Sequence, residues 1–256
     1  MPNCKICNSE NVLFDSAKIL NKYEIQYYKC PNCGFIQTEE PYWLDEAYSS
    51  AITSSDIGLI NRNIEFSQKL NTLLKIAFPN KQSFLDYGGG YGIFVRLMRD
   101  NGYDFEWYDE YCENLFAKGH EKTKQHYDIL TTFEMFEHIA NPMELIEKLV
   151  SLSDSIIFST VLLPENTPKV KDWWYFCTDY GQHISFYTKK ALEFIAKKYS
   201  LNYFFCLGFH IFTKEVINIR RIEFLMKHKK LINYFYHNRV SLLTSDYEKI
   251  TGIELK

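Results

Sequence analysis

The sequence predicts an α/β fold in which helices cover both faces of a mostly parallel sheet, and three observations carry this prediction. Along residues 81–213, short apolar runs that suit buried strands alternate with stretches of helical periodicity. A glycine-rich loop, GGGYG at residues 88–92, directly follows the first of these apolar runs. The composition, with 46% hydrophobic and 24% charged residues, is that of a chain able to bury a core.

Charge and hydropathy exclude several classes of protein. A net charge of −3 gives no general attraction to nucleic acid or to an anionic membrane. No run of 18 apolar residues is present, so we expect no membrane insertion. The N-terminal residues MPNCKICNSE lack the pattern of a signal peptide, which predicts a cytoplasmic protein without disulfides.

The first of four predicted units, residues 1–45, is a small zinc ribbon. Two Cys-x-x-Cys turns, Cys4 with Cys7 and Cys30 with Cys33, can aim four thiolates at one tetrahedral ion. YEIQYYKC reads as the strand that leads into the second turn. Four protein ligands leave no open position on the ion, so a structural role is expected.

The remaining units are a helical connection over 46–80, the α/β domain over 81–213 and a helical extension over 214–256. The connection holds one amphipathic helix with Phe66, Leu70, Leu73, Leu74 and Ala77 on one face. In the domain, the predicted strands are SFLDY, YDFEWYD, YDILTTFE, SIIFSTVLL, LNYFFCLGF and HIFT. The predicted helices start near Phe94, at Pro142 with Asn141 as N-cap, and at TKKALEFIAKKYS.

The glycine loop does not match the two common phosphate-binding loops. A dinucleotide-binding G-x-G-x-x-G would need glycine at position 93, which is Ile93, and no Gly-Lys-Ser/Thr follows the loop. The residues that are present form D-x-G-x-G-x-G with Asp86, Gly88, Gly90 and Gly92. This pattern resembles motif I of class I S-adenosylmethionine (SAM) methyltransferases.

The resemblance implies a Rossmann-like methyltransferase sheet and a set of cofactor-binding residues. The loop would pass under the methionine part of SAM, and Asp86 would face its ammonium group. Asp109, with Glu110 as competitor, would accept hydrogen bonds from the ribose hydroxyls. YDILTTFEMFEHIANP resembles the family's fourth strand and following loop, which implies that Thr132, Phe133 and Glu134 line the cofactor pocket. The acid that often contacts adenine is missing, and the third strand is short or degenerate.

The same resemblance implies the residues of the acceptor side. Glu137 and His138 would face the reaction, and GQHISFYTKKALEFIAKK resembles the segment that follows the fifth strand. The expected catalytic residues are His183, His138, Glu137 and Tyr175, and Gln182 is expected to bind substrate. Trp173 and Trp174 are expected to bind it as well, because adjacent aromatic residues in a loop suit stacking on a sugar or on a sulfonium. The alternative to these roles is structural: a salt bridge at a helix start, a turn histidine and core aromatics.

With the ribbon added, the chain resembles bacterial methyltransferases of sugar and capsular-polysaccharide biosynthesis. This implies O-methylation of a small sugar-derived or phosphorylated intermediate, a phosphoramidate among them. One alternative is a zinc-ribbon RNA methyltransferase, although FEMFEH stands where base methylases carry N/D-P-P-Y/F. Another is a non-catalytic protein that keeps the SAM fold. The acceptor and the oligomeric state stay open.

Overall fold

A computed structural model of the chain describes residues 1–48, 56–228, 232 and 235–254. The strands, in chain order, are β1 (Val12–Ile19), β2 (Tyr23–Lys29), β3 (Ile36–Thr38), β4 (Phe84–Tyr87), β5 (Phe105–Tyr108), β6 (Ile129–Thr132), β7 (Ser155–Phe158), β8 (Ser185–Phe186), β9 (Asn202–Cys206) and β10 (Phe209–Thr213). The α-helices are α1 (Leu44–Ala47), α2 (Leu59–Ala77), α3 (Ile93–Asp100), α4 (Pro142–Leu152), α5 (Lys189–Lys198), α6 (Ile219–Lys227) and α7 (Leu243–Thr251).

A six-stranded mixed sheet forms the centre of the fold, in the order β5-β4-β6-β7-β10-β9. The four strands from β5 to β7 run parallel, while β10 is antiparallel to both β7 and β9. The strand order reverses between β4 and β6, and such switch points are where open α/β sheets bind ligands. The predicted α/β class is confirmed.

Alternate residues of the buried strands supply two separate cores, one on each face of this sheet. Phe84, Phe105 and Ile129 pack with the apolar sides of α2, α3 and α6. Leu85 and Leu130 point the other way and pack with α4 and α5. The predicted arrangement of helices on both faces is therefore confirmed.

The N-terminal segment forms a second sheet, which a strand from much later in the chain completes. Its order is β1-β2-β3-β8, and all neighbours are antiparallel. In the last pair, Ile36 lies opposite Phe186 and Gln37 opposite Ser185. The ribbon therefore shares its sheet with the larger unit. The predicted boundaries at residues 45, 80 and 213 stay a prediction.

Several predicted elements differ in detail. The third strand of the expected pattern is reduced to one parallel bridge between Trp107 and Glu121, as its weak sequence signal indicated. Asn141 occupies the N-cap position of α4 without making a capping hydrogen bond. The predicted helical extension over 214–256 consists of two separate α-helices among its described residues, α6 and α7. Among those residues, no helix is long and apolar enough to cross a membrane.

Candidate functional site

A large cavity of about 1510 Å³ opens where the parallel strands of the central sheet end. The glycine loop after β4, the residues after β5 and β6, and the segment before β8 all line it. This is the switch-point position, so the geometry supports ligand binding here. Of the residues predicted for the site, Gly92, Thr132 and the four cysteines of the ribbon lie outside its lining.

The glycine loop brings its backbone close to the cavity. Gly88, Gly90 and Gly92 all have positive φ, at +74°, +53° and +86°. A Cβ at Gly88 would lie 2.9 Å from the sulfur of Met135, so a side chain there would require the Met135 side chain to shift. A Cβ at Gly90 would meet no atom within 4 Å. Gly90 therefore presents bare backbone to open space, as a ligand cradle requires.

Asp86, near the end of β4, has a carboxyl group that is almost removed from solvent. Its side chain accepts a 2.6 Å hydrogen bond from the Thr131 hydroxyl. Burial raises the pKa of Asp86 to about 7, and the charge of Asp109 adds to the shift. A cation placed against this carboxyl would reverse the shift, so Asp86 is suited to bind a positively charged group.

Asp109, directly after β5, accepts hydrogen bonds from backbone N–H groups of the glycine loop and of the turn that follows β5. One carboxylate oxygen accepts from the Gly90 N–H at 2.9 Å, and the other accepts from the N–H groups of Tyr111 and Cys112, both at 2.8 Å. It thereby fixes the glycine loop to the turn after β5. Its neighbour Glu110 is exposed and lines the same cavity. Asp109 and Glu110 therefore both remain candidates to accept hydrogen bonds from the ribose hydroxyls.

The three residues predicted to line the cofactor pocket after β6 have different surroundings. Thr132 is fully buried, and its hydroxyl donates to the sulfur of Met135 at 3.1 Å. Phe133 lines the cavity and packs against Phe66. Glu134 also lines it, in a left-handed conformation with φ +50°. This strained backbone suits a residue that is turned toward a binding site.

Glu137, in the 3₁₀ turn after β6, has a carboxyl group that is completely buried, and neither oxygen has a hydrogen-bonding partner among the described residues. Burial raises the pKa of Glu137 to about 8, helped by the charge of Glu134. The hydroxyls of Tyr175 and Thr160 reduce this rise without forming hydrogen bonds of normal geometry. A buried unpaired carboxyl is costly, which indicates a missing partner.

His138 and His183 lie beside this carboxyl, with ring centroids 4.8 Å apart. In His183, Nδ1 donates to the carbonyl oxygen of Tyr175 at 2.7 Å. In His138, Nδ1 lies 3.2 Å from the Gln182 carbonyl oxygen and 2.9 Å from the Tyr48 hydroxyl. Nε2 therefore carries the lone pair in His183, and it does so in His138 when Nδ1 donates to the Gln182 carbonyl oxygen. Burial lowers the pKa of both, that of His138 to about 3, so both are neutral near pH 7.

The other residues predicted for the acceptor side also line the cavity, at different depths. Trp174 is 75% exposed, while Trp173 is partly buried against the aromatic cluster behind it. Tyr175 is buried, and its hydroxyl accepts a hydrogen bond from the Val161 N–H at 3.0 Å. Gln182 donates its amide to the Ala47 carbonyl oxygen. Trp174 is the member of this group best placed to contact a ligand entering from solvent.

Two residues of the helical connection, Tyr48 and Arg62, also line the cavity and were not identified from the sequence. Tyr48 contacts His138, and Arg62 lines the cavity in an ion pair with Asp56 at 2.7 Å. The aromatic residues of PYWLDEAYSS were the only sequence signal for Tyr48.

The four cysteines of the ribbon converge as predicted. The Cys4 and Cys33 sulfurs are 3.6 Å apart, the Cys7 and Cys30 sulfurs 3.4 Å, and all four lie within 4.8 Å of one another. Zinc–sulfur bonds of about 2.3 Å in a tetrahedron place sulfurs roughly 3.8 Å apart, so the set fits one zinc ion. These residues would hold the ion in a closed, structural site.

A family model described as a methyltransferase domain matches residues 60–203, which is more than half of the chain. No curated protein sequence is significantly similar to the chain. Solved structures with a similar fold include an O-methyltransferase family protein from Burkholderia thailandensis, with 12% identity, TM-score 0.46 and 66% of each chain covered.

Two further structures of similar fold are an O-methyltransferase family 2 protein from Planctomyces limnophilus in complex with apigenin and human N-acetylserotonin methyltransferase in complex with SAM. Both are 13% identical with a TM-score of 0.43; the first covers 65% of this chain and 64% of its own, the second 68% and 66%. The chain spans slightly less than two thirds of the length of each of these three structures.

Proposed function

The chain belongs to the methyltransferase-domain family, and on this premise we propose that it transfers the methyl group of SAM to an oxygen atom of a small acceptor. The observation that carries the proposal is the pairing, in one cavity, of an open glycine loop and a buried carboxyl with a separate cluster of Glu137 and two histidines. The first half suits the cofactor and the second suits an acceptor.

The residues of the first half fit SAM. Gly90 offers uncovered backbone to the methionine part, and the buried carboxyl of Asp86 matches an ammonium group. Asp109 or Glu110 would accept from the ribose hydroxyls, with Phe133 and Glu134 completing the pocket wall. The cofactor supplies a methyl group on a positively charged sulfur, so the protein's part is to bind, orient and exclude water.

On the acceptor side, His183 is the residue best placed to act as a base. Its Nδ1–H is held by the Tyr175 carbonyl, which leaves Nε2 free to accept the proton of an acceptor hydroxyl. His138 is fixed beside it, and Glu137 lies within reach of both rings. Tyr175 acts here as a positioning residue, because its carbonyl orients His183 while its hydroxyl contacts Val161.

The charge of the cavity favours a sugar over a polyanion as acceptor. Among the described residues, nine carboxylic side chains line it, against the two basic side chains of Arg62 and Lys171. Arg62 is already paired with Asp56. A neutral sugar hydroxyl, with Trp174 at the mouth as an apolar platform, fits this lining. A phosphorylated or phosphoramidate intermediate of surface-polysaccharide synthesis would need a counter-cation to enter this acidic cavity. The same acidic lining opposes the binding of RNA, which is a polyanion.

Calorimetry on two glycine variants tests the cofactor half. Gly90→Val should weaken SAM and S-adenosylhomocysteine binding by about 100-fold or more, because its side chain would occupy the open space beside the loop. Gly252→Val is the matched control, since Gly252 also has a positive φ (+70°) and no atom within 4 Å of its added Cβ. Similar strain therefore arises at both sites, about 1–2 kcal/mol, but only Gly90→Val should lose binding.

A screen of nucleotide sugars and phosphorylated acceptors for S-adenosylhomocysteine release tests the acceptor half. Turnover with a sugar hydroxyl is the expected result. If the wild-type protein does not bind SAM at millimolar concentration, the enzyme proposal is wrong. SAM binding without turnover on any acceptor class would favour a non-catalytic SAM-fold protein, and turnover on RNA would favour that alternative instead.

A further inference from the structure

Glu137, His138 and His183 form a second group of metal-ligand type, separate from the four cysteines. One ligand atom from each residue lies within 4.8 Å of the others. We propose that this cluster binds a divalent transition-metal ion, which holds and activates the acceptor oxygen. The binding site stands on its own observations, while the catalytic role rests on the function proposed above.

The carboxyl group of Glu137 is the first observation that points to an ion. It is completely buried, it lines the cavity, and both oxygens lack hydrogen-bonding partners among the described residues. Proteins rarely leave such a group unpaired, because its desolvation is not offset. A bound cation beside it would supply the missing partner.

The orientation of the two histidines is the second observation. Each ring has Nδ1 against a backbone carbonyl oxygen, that of Tyr175 for His183 and that of Gln182 for His138. Metal-binding histidines typically use one ring nitrogen in this way, which fixes the tautomer and leaves the other nitrogen for the ion. Tyr48 adds a further contact to His138. Both rings are thus prepared to act as neutral ligands.

The ligand set indicates the class of ion. Two imidazoles and one carboxylate suit Zn²⁺, Fe²⁺, Co²⁺ or Ni²⁺, whereas Mg²⁺ and Ca²⁺ prefer oxygen ligands alone. Bonds of about 2.0–2.1 Å in a tetrahedron place ligand atoms roughly 3.4 Å apart, so shifts of less than about 1 Å would complete the site. The acidic lining of the cavity also attracts cations.

Three protein ligands leave a coordination position open toward the cavity, as in catalytic rather than structural sites. An acceptor hydroxyl in that position would have a lowered pKa and would release its proton to water. Its oxygen would then attack the methyl carbon while the carbon–sulfur bond breaks and its electron pair stays on sulfur. In this state Nε2 of His183 is a ligand, and its role as a direct base is confined to the ion-free protein. The ion would also let an anionic acceptor enter an acidic cavity.

Cobalt absorption spectroscopy on protein that holds a single equivalent of zinc, bound by the four cysteines, tests the site without any acceptor. Co²⁺ added to the wild type should give a visible d–d band at one equivalent, without the thiolate charge-transfer band that exchange into the cysteine site would produce. His183→Ala and Glu137→Gln should each weaken Co²⁺ binding by about 10-fold or more. The matched control is His126→Ala, because His126 is exposed and lies outside the cavity lining.

Two results would overturn the proposal: no such band in the wild type at millimolar Co²⁺, or equal affinity in the wild type and both ligand variants. Circular dichroism and zinc content identify a variant that fails to fold. The Co²⁺ affinity of the other variant then tests the proposal. SAM binding, measured by calorimetry, is judged independently of Co²⁺ binding. SAM binding and metal-independent turnover together would preserve the proposed function while removing the ion.

Discussion

Asp86 is a buried acid whose protonation should govern cofactor affinity. Its pKa of about 7 means that much of the free protein carries a neutral Asp86 below neutral pH. A bound ammonium group favours the ionised form, so binding below pH 7 must first remove a proton. SAM affinity should therefore rise as pH increases from 5 to 7, by up to tenfold per pH unit, and then level off.

Calorimetry across this pH range, in buffers of different ionisation enthalpy, measures both the affinity and the released proton. Asp86→Asn should weaken binding at pH 7 and remove most of the pH dependence. Asp100→Asn is the control, because Asp100 is an exposed carboxylate on α3. A wild-type affinity that does not change between pH 5 and 7 would show that Asp86 does not face the cofactor's cation.

At this scale, the sequence predicted the residues that short motifs define and missed those that depend on distant contacts. Asp86 and the glycines could be found because their spacing is local. Tyr48 could not be assigned to the site, since its partner His138 lies 90 positions away in the chain. The three backbone contacts of Asp109 were equally invisible, because they depend on how the turn after β5 folds.

Strand β8 is the element that connects the ribbon to the acceptor side of the cavity. It pairs with β3, and the Ile184 N–H just before it donates to the Glu137 carbonyl oxygen. His183 immediately precedes this pairing. A zinc ion that orders the ribbon should therefore also hold His183 in place. Zinc binding contributes on the order of 10 kcal/mol of folding free energy in small zinc domains. This is enough to dominate the stability of the four-stranded sheet.

Metal analysis should find about one zinc per chain held by the four cysteines, in addition to any ion at the Glu137, His138 and His183 cluster, and Cys30→Ser should lose that zinc. Hydrogen exchange followed by mass spectrometry should then show faster exchange in peptides that cover 183–187, with unchanged exchange in the glycine loop and SAM affinity within about threefold. Cys112→Ser is the control, because Cys112 lies outside the four-cysteine group. Slow exchange at 183–187 in the zinc-free variant would contradict the coupling.

The predicted strands illustrate which elements a sequence reveals. Strands β4 to β7 were found because each is a compact, largely apolar run. Strand β1 was missed because its residues, VLFDSAKI, are mostly exposed or half-buried and show no clear apolar alternation. Strand β8 has only two residues, and its pairing with β3 is set by tertiary contacts that no local pattern encodes.

At the scale of the whole molecule, a buried ion-pair network connects the C-terminal helix α7 to α3. Both oxygens of Asp246 accept from the Arg99 guanidinium at 2.7 Å, and Arg96 approaches the same carboxylate at 2.9 Å. Arg99 and Asp246 each have only 5% of the side chain exposed. The Leu242 N–H also donates to the Arg99 carbonyl oxygen. This network fixes the extension to the central sheet's helical layer.

Asp246→Ala should lower the free energy of unfolding by about 3 kcal/mol, because it leaves the buried Arg99 without its main counter-charge. Asp100→Ala removes an exposed partner of Arg96 and should cost less than about 1 kcal/mol. Urea denaturation of the zinc-loaded proteins measures both. Equal stability of the two variants would mean that α7 is dispensable for the fold.

The shared four-stranded sheet also has a consequence for biosynthesis. Strands β1 to β3 leave the ribosome early, but their partner β8 lies at residues 185–186 and emerges only after most of the central sheet has been translated. Until then the edge of β3 is unpaired, and exposed edges invite association between nascent chains. Early capture of zinc by the four cysteines would order the ribbon during this interval. Expression under zinc limitation should therefore lower the yield of native protein before any effect on the folded, mature protein is seen.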